Sequence, residues 1–141
     1  MIIHSQLTTP DGTVLVSKHR HDFVSHKDKN GKTYFLDGGT EYIRSSNNGD
    51  EEFLTITDKS PHEQIREYLS WGTYGKSGNE PFHKILLKNL SDEHIQAIID
   101  WVDNTNPTLP ILKAEQQYRE KYETNTTNLL GTRISRFWQV F

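Results

Sequence analysis

Hydrophobic and polar residues alternate over several short stretches in the first part of the chain. In "MIIHSQLTTPDGTVLVSKH" the alternation is interrupted by Pro10, Asp11 and Gly12. These residues favour a turn, because proline presets one backbone angle and glycine accepts a positive φ. We therefore predict two strands joined at this turn. A further strand is predicted in "EEFLTITD", where Leu54 and Ile56 alternate with residues of the opposite face.

The spacing of the apolar residues changes to that of a helix after position 60. Ser60 and Glu63 have the spacing of a capping box, and Pro61 suits the first helical position. A helix is therefore predicted to begin here, with Ile65 and Leu69 facing the core. The glycine-rich segment "WGTYGKSGNEP" ends it, and "FHKILLKNL" is predicted to be a strand.

Two more helices are predicted in the second half of the chain. Ser91 can cap the first of them, and Asp92 and Glu93 follow in the first turn, where the helix dipole favours acidic residues. Its apolar positions lie on one stripe: Ile95, Ile98, Ile99 and Val102. "LPILKAEQQYREKYE" is predicted to be the third helix.

This order of elements predicts an α+β fold: a small antiparallel sheet with hairpins, covered on one face by two or three helices. We expect a single α+β domain over residues 1–124. Residues 125–141 are predicted to be a polar linker followed by a C-terminal apolar helix or docking tail. In that tail the apolar residues recur at helical spacing: Ile134, Phe137, Trp138 and Phe141. We expect this stripe to fold back on the domain or to bind another chain, which makes a homo-oligomer possible.

Composition narrows the class of protein. The chain has 141 residues, a formal net charge of -3 and no cysteine, with a pI near 6.1 and a mean hydropathy of -0.77. The weak charge does not favour general nucleic-acid binding. Without cysteine there is no disulfide framework, no thiol nucleophile and no zinc–thiolate site. Neither a signal peptide nor an apolar segment of membrane-spanning length is found, so we expect a cytoplasmic protein that does not contact a membrane.

The segment "HRHDFVSHKDKNGKTYFLD" is predicted to form a hairpin at Asn30 and Gly31, a preferred two-residue turn. A turn of this length places Val24 opposite Asp37 and His26 opposite Phe35. Phe23 and Leu36 then mark the core face. The opposite face is predicted to form one wall of a ligand-binding site with four polar residues: Arg20, Asp22, His26 and Asp37.

Two interpretations of this hairpin remain open. It is either a polar sheet surface, solvated or facing a ligand, or a metal site, formed by His19 and His21 or by a mixed nitrogen and oxygen set of Asp22, His26 and Asp37. The spacing matches no closed four-ligand metal site, so we expect neither a tightly held metal nor another cofactor. The two glycines after Asp37 also have two interpretations: an anion-binding turn or a plain strand exit.

The segment "WGTYGKSG" combines aromatic side chains, a lysine and three glycines. Trp71 and Tyr74 can stack on a base, and Lys76 adds a cation, whereas the glycines let the loop approach a ligand closely. The segment lacks the glycine spacing of a phosphate-binding P-loop. We predict that these three residues border the principal ligand-binding surface.

Two quoted regions carry a resemblance to a known family. "DGTVLVSKHRHDF…DKNGKTYFLDGG" and "PHEQIREYLSWGTYGKSGNEP" are similar to a family of small uncharacterised proteins encoded by tailed bacteriophages. The resemblance covers roughly residues 11–122, and the tail departs from the shorter members. It implies a phage accessory protein in the host cytoplasm.

The leading hypothesis is therefore non-enzymatic: a phage accessory protein that binds a host protein or a small nucleotide-like ligand without turnover. The alternative is a metal-dependent hydrolase of phosphoesters or nucleotides that uses the His/Asp cluster.

Overall fold

The computed structural model describes the backbone of residues 1–130 and the side chains of residues 1–122. The chain forms two compact units, an N-terminal unit of Met1–Leu69 and a C-terminal unit that begins at Ser70. The single domain over residues 1–124 expected from the sequence stays a prediction. The α+β class is confirmed, since helices occur together with small antiparallel sheets.

The N-terminal unit contains two three-stranded antiparallel sheets and one helix. Its elements are β1 (Ile2–Thr8), β2 (Val14–Ser17), β3 (Val24–Lys27), β4 (Thr33–Asp37), β5 (Arg44–Ser45), β6 (Glu52–Thr57) and α1 (His62–Tyr68). The strand orders are β2-β1-β6 and β3-β4-β5. The predicted hairpin around Pro10, Asp11 and Gly12 and the predicted strand in "EEFLTITD" are confirmed.

Both sheets contribute to one hydrophobic core. Leu7 and Leu15 come from the first sheet and Tyr34 and Leu36 from the second, and all four are buried. Because side chains in a strand alternate between faces, the polar neighbours of these residues point away from the core. Ser5 and Ser17 are buried polar residues that lie two positions from Leu7 and from Leu15, on the same face of their strands.

The β3–β4 hairpin has a different turn and register from the prediction. The Asp28 N–H donates to the Lys32 carbonyl at 2.9 Å, so the loop holds three residues, 29–31. Gly31 has a φ of 82°, as the last position of such loops requires. The Asp28 carboxylate accepts the N–H of Lys32 at 2.8 Å, and this side chain is the signal that the prediction missed.

One extra loop residue shifts the pairing by one position. Val24 lies opposite Leu36 instead of Asp37, so the predicted register is wrong. A shift of one residue moves each side chain of one strand to the other face relative to its partner strand. His26 and Asp37 therefore lie on opposite faces. Leu36 is buried in the core as predicted, but the prediction for Phe23 is wrong, because Phe23 is 56% exposed and stacks on Phe35 outside the core.

Helix α1 begins without the predicted capping box. Pro61 occupies the N-cap position, and no side chain caps the helix. The Ser60 hydroxyl instead accepts the backbone N–H of Thr57 at 2.9 Å. Ile65 is buried, as predicted. The Tyr68 ring lies 4.5 Å from the His4 ring, centroid to centroid, so α1 packs on β1. Coverage of a sheet face by more helices stays a prediction.

The C-terminal unit combines a β-hairpin with two helices. Its elements are β7 (Ser70–Thr73), β8 (His83–Leu86), a 3-10 helix (Leu87–Asn89), α2 (Asp92–Trp101) and α3 (Leu109–Leu130). The predicted strand at β8 and both predicted helices are confirmed. Helix α3 includes residues 125–130, so the linker predicted for these residues is helical. No helix among the described residues is long and apolar enough to cross a membrane.

A buried arginine connects the elements of the C-terminal unit. Arg119 of α3 donates to Glu115 at 2.7 Å and to Asp92 of α2 at 2.9 Å. It also donates to the Leu87 carbonyl at 3.0 Å. Arginine suits this position, because its planar group presents several fixed donors at once. The start of α2 is therefore held against α3.

Candidate functional site

The polar residues predicted to form a ligand-binding wall do not form one cluster. His26 Nε2 lies 2.8 Å from Asp11 Oδ2, whereas Asp22 Oδ2 accepts the backbone N–H of Lys18 at 2.7 Å. The other two predicted residues form separate ion pairs: Asp37 with Arg44 at 2.6 Å and Arg20 with Glu41 at 3.3 Å. Each of the four side chains therefore has a different local partner.

The proposed metal ligands are also separated. Among the side chains of residues 1–122, no group of three or more His, Cys, Asp or Glu is placed to hold a metal ion. The five candidates all lie within this range: His19, His21, Asp22, His26 and Asp37. The structure therefore gives the hydrolase alternative no preformed ligand set at this hairpin.

His26 does meet two residue types of a hydrolytic triad, but in the wrong arrangement. Thr13 Oγ1 lies 3.3 Å and Asp11 Oδ2 2.8 Å from the same ring nitrogen, Nε2. A triad needs the nucleophile and the carboxylate on different nitrogens, so that one orients the ring while the other loses its proton. Hydrogen bonds hold the pKa of Asp11 below its ordinary value; the bond from the Thr9 hydroxyl has the largest effect and the bond from His26 the second largest. The cluster joins the β1–β2 turn to β3.

Gly39, the second glycine after Asp37, forms hydrogen bonds within the chain through both its N–H and its carbonyl group. The Gly39 N–H donates to Ser17 Oγ at 2.8 Å, and the Gly39 carbonyl accepts from Ser5 Oγ at 2.8 Å. Hydrogen bonds from Arg44 and from the Gly38 N–H lower the pKa of Asp37. The Gly39 N–H therefore has a partner within the chain, which favours the plain strand exit over the anion-binding turn.

A pocket of about 430 Å³ lies in the C-terminal unit. The β7–β8 hairpin contributes Thr73, His83 and Ile85 to its lining. Thr73 and His83 are direct cross-strand partners, so their side chains share one face. The start of α2 contributes Ser91, Glu93, His94 and Ala97, and the loop between the strands contributes Gly75, Lys76 and Glu80.

Two glycines shape the loop that borders this pocket. An added Cβ at Gly72 would lie 2.5 Å from the Phe82 ring, so the aromatic ring packs directly over the backbone. Gly75 has a φ of 85°, and its N–H donates to Thr73 Oγ1 at 3.0 Å. The Glu80 N–H donates to the Tyr74 carbonyl at 2.8 Å and closes the loop.

The pocket lining carries charges of both signs. Lys76 Nζ lies 3.3 Å from Glu93 Oε1. His83 Nδ1 lies 2.9 Å from the Pro81 carbonyl oxygen. Because a carbonyl only accepts, Nδ1 carries the hydrogen, and Nε2 of the neutral ring is an acceptor. The Ser91 oxygen accepts the His94 N–H at 3.0 Å and caps α2, as predicted.

The three residues predicted to border the ligand-binding surface have different positions. Lys76 lines the pocket. The Trp71 ring instead meets the edge of Trp101, with centroids 6.4 Å apart, and Tyr74 lies beside Phe82 at 5.3 Å. The predicted partner-binding residues lie outside the described part of the chain: Ile134, Phe137, Trp138 and Phe141.

Three residues that line the pocket were not predicted from the sequence: Glu80, His83 and His94. The signal for His83 was its place in a predicted strand directly after the glycine loop, where a hairpin brings both ends of that loop together. The signal for His94 was its position three residues after the helix cap, because residues of the first turn lie near the start of the helix.

Comparison with protein-family models, with curated proteins and with solved structures finds no match for this chain. The resemblance to phage-encoded proteins therefore stays an expectation from the sequence.

Proposed function

We propose that this protein binds a small nucleotide-like ligand in the pocket of the C-terminal unit without chemically changing it. The pocket itself is the observation that carries this proposal. Its volume of about 430 Å³ falls in the range of roughly 300–1,000 Å³ that is usual for small-molecule sites. The host-cell setting and phage origin of the proposed function come from the sequence resemblance.

The lining offers a suitable group for each part of a nucleotide. Lys76 provides a cation for phosphate, Glu80 and the free nitrogen of His83 accept hydrogen bonds, and Ile85 and Ala97 provide apolar surface. The Lys76–Glu93 pair is exposed, with side chains 87% and 55% accessible. An exposed ion pair contributes little stability, so Lys76 can exchange Glu93 for a ligand at low cost.

Two contacts support binding without turnover. Ser91 presents its oxygen to the backbone of α2 as a helix cap, and the Nδ1 of His83 bonds to a backbone carbonyl. A hydrolytic serine needs a histidine base that a carboxylate orients. Neither side chain has that arrangement here.

Titration with AMP and GMP, followed by NMR, tests this proposal. We expect saturable binding with shifts at the pocket residues, and chromatography should recover the nucleotide intact. Lys76→Met should weaken binding at least fivefold, because it removes the cation. Lys84→Met is the matched control, since Lys84 does not line the pocket and alternates with His83 along β8. Absence of binding, equal effects of both variants, or consumption of the nucleotide would contradict the proposal.

Exposed aromatic residues favour a second candidate function, binding of a host protein. Trp101 is 78% exposed, and Tyr74 and Phe82 are both more than half exposed. Aromatic side chains often dominate binding energy at protein interfaces. If a host protein binds here, Trp101→Ala should abolish its co-purification from infected cells. Phe53→Ala, which removes an exposed ring of β6, should leave it unchanged.

A further inference from the structure

We infer that the pocket prefers a guanine-type base, that is, a base with two adjacent N–H donors on one edge; this inference rests on the proposed function. Glu80 is the residue that carries it. An added Cβ at Gly75 would lie 2.1 Å from Glu80 Oε2. The carboxylate therefore lies directly against the loop backbone, at a place that only glycine leaves open.

The Glu80 carboxylate has its hydrogen-bonding capacity available for a ligand. Among the described side chains it takes part in no hydrogen bond or ion pair, whereas the neighbouring Glu93 is paired with Lys76. The backbone of Glu80 is fixed by its N–H bond to the Tyr74 carbonyl at 2.8 Å. An ionised carboxylate only accepts hydrogen bonds, and its two oxygens can accept two parallel N–H groups.

His83 adds a second acceptor to the same lining. Its Nδ1 hydrogen is used on the Pro81 carbonyl, which leaves the Nε2 lone pair of the neutral ring available. Glu80, Glu93 and Lys76 also line the pocket, so carboxylates outnumber ammonium groups two to one. A ligand that offers donors fits this lining better than one that offers acceptors.

The edges of the nucleobases differ in this respect. Guanine presents a ring N–H and an exocyclic amino group side by side, which matches a carboxylate. Adenine presents an amino group beside an unprotonated ring nitrogen, and that nitrogen would face a carboxylate oxygen without a hydrogen between them. Sites that hydrogen-bond a donor reject analogues that lack it, because a polar group is left unpaired. Hypoxanthine keeps the ring N–H and lacks the amino group.

Calorimetric titration with GMP, IMP and AMP tests the preference on the full chain. We expect GMP to bind at least tenfold more tightly than AMP, with IMP between them. Glu80→Gln should weaken GMP binding at least tenfold, because an amide offers only one acceptor oxygen. The same variant should not weaken AMP binding, because the amide N–H can donate to the unprotonated ring nitrogen of adenine. Glu120→Gln is the matched control, since Glu120 is also exposed and does not line the pocket. Circular dichroism confirms that each variant is folded.

The outcomes separate this inference from the proposed function. Equal affinity for GMP and AMP would overturn the base preference and leave nucleotide binding standing. A preference for GMP that survives Glu80→Gln would also overturn the inference, because another group would then read the base. Failure of all three nucleotides to bind would overturn both.

Discussion

At the scale of single residues, the N-terminal unit depends on a small polar contact inside its core. Ser5 and Ser17 are each only 1% exposed, and their hydroxyls bind the carbonyl and the N–H of Gly39. Buried polar groups are tolerated only where they find such partners. The sequence could not predict this contact, because Ser5 and Gly39 lie 34 positions apart.

Substitution of Gly39 should be far more costly than substitution of another glycine with positive φ. A Cβ at Gly39 would lie 2.1 Å from the His19 carbonyl oxygen, whereas a Cβ at Gly12 has no atom within 4 Å. Gly12→Ala should therefore cost only the left-handed backbone strain of roughly 1–2 kcal/mol. Gly39→Ala should cost more, since the backbone must move as well. Urea unfolding measures both, and equal losses would contradict the close packing at Gly39.

At the scale of elements, most strand and helix positions were predictable, but β7 in the glycine-rich segment and the register of the β3–β4 hairpin were not. Alternation located β1, β2 and β6, because one face of each strand must be buried. The register of the β3–β4 hairpin was missed, because the Asp28 carboxylate favours a three-residue loop over the two-residue turn of Asn-Gly. The pocket was only partly predictable, since Lys76, His83 and His94 come from three separate elements that tertiary packing brings together.

The two predicted helix caps should differ in their effect on stability. Ser91 Oγ accepts the His94 N–H, so Ser91→Ala should destabilise the C-terminal unit by about 1 kcal/mol. Glu63→Ala should change stability by less than about 0.5 kcal/mol, as is usual for exposed residues without a specific contact, because no side chain caps α1. Thermal and urea unfolding provide the comparison. A larger effect of Glu63→Ala would contradict this expectation and would indicate that Glu63 takes part in capping α1.

At the scale of the whole molecule, the two units differ in their intrinsic fluorescent residues. Residues 1–69 contain no tryptophan, whereas Trp71 and Trp101 belong to the C-terminal unit. Tryptophan fluorescence therefore reports on the C-terminal unit, and far-ultraviolet circular dichroism reports on both. The N-terminal unit holds carboxyl groups whose pKa is lowered by a partner: hydrogen bonds from Arg44 and from Lys32 lower the pKa values of Asp37 and Asp50.

Acid should therefore destabilise the N-terminal unit. A carboxyl group whose pKa is lower in the folded state gives a stability that is complete above its unfolded pKa, about 3.9. This contribution is lost as the pH falls towards the folded pKa, because the unfolded state binds the proton first. Below about pH 4 the strand signal in circular dichroism should be lost on acidification. Asp37→Asn should make urea stability less dependent on pH between about 2 and 5; an unchanged slope would contradict the role of Asp37.

The contact between Ser5, Ser17 and Gly39 also provides a way to recognise distant relatives of this chain. Hydrophobic core positions tolerate exchange among several residue types of similar volume. The three contact positions are more restricted, because only a small hydroxyl fits on each strand and only glycine fits between them. A sequence profile that weights these three positions together should find homologues that overall identity misses.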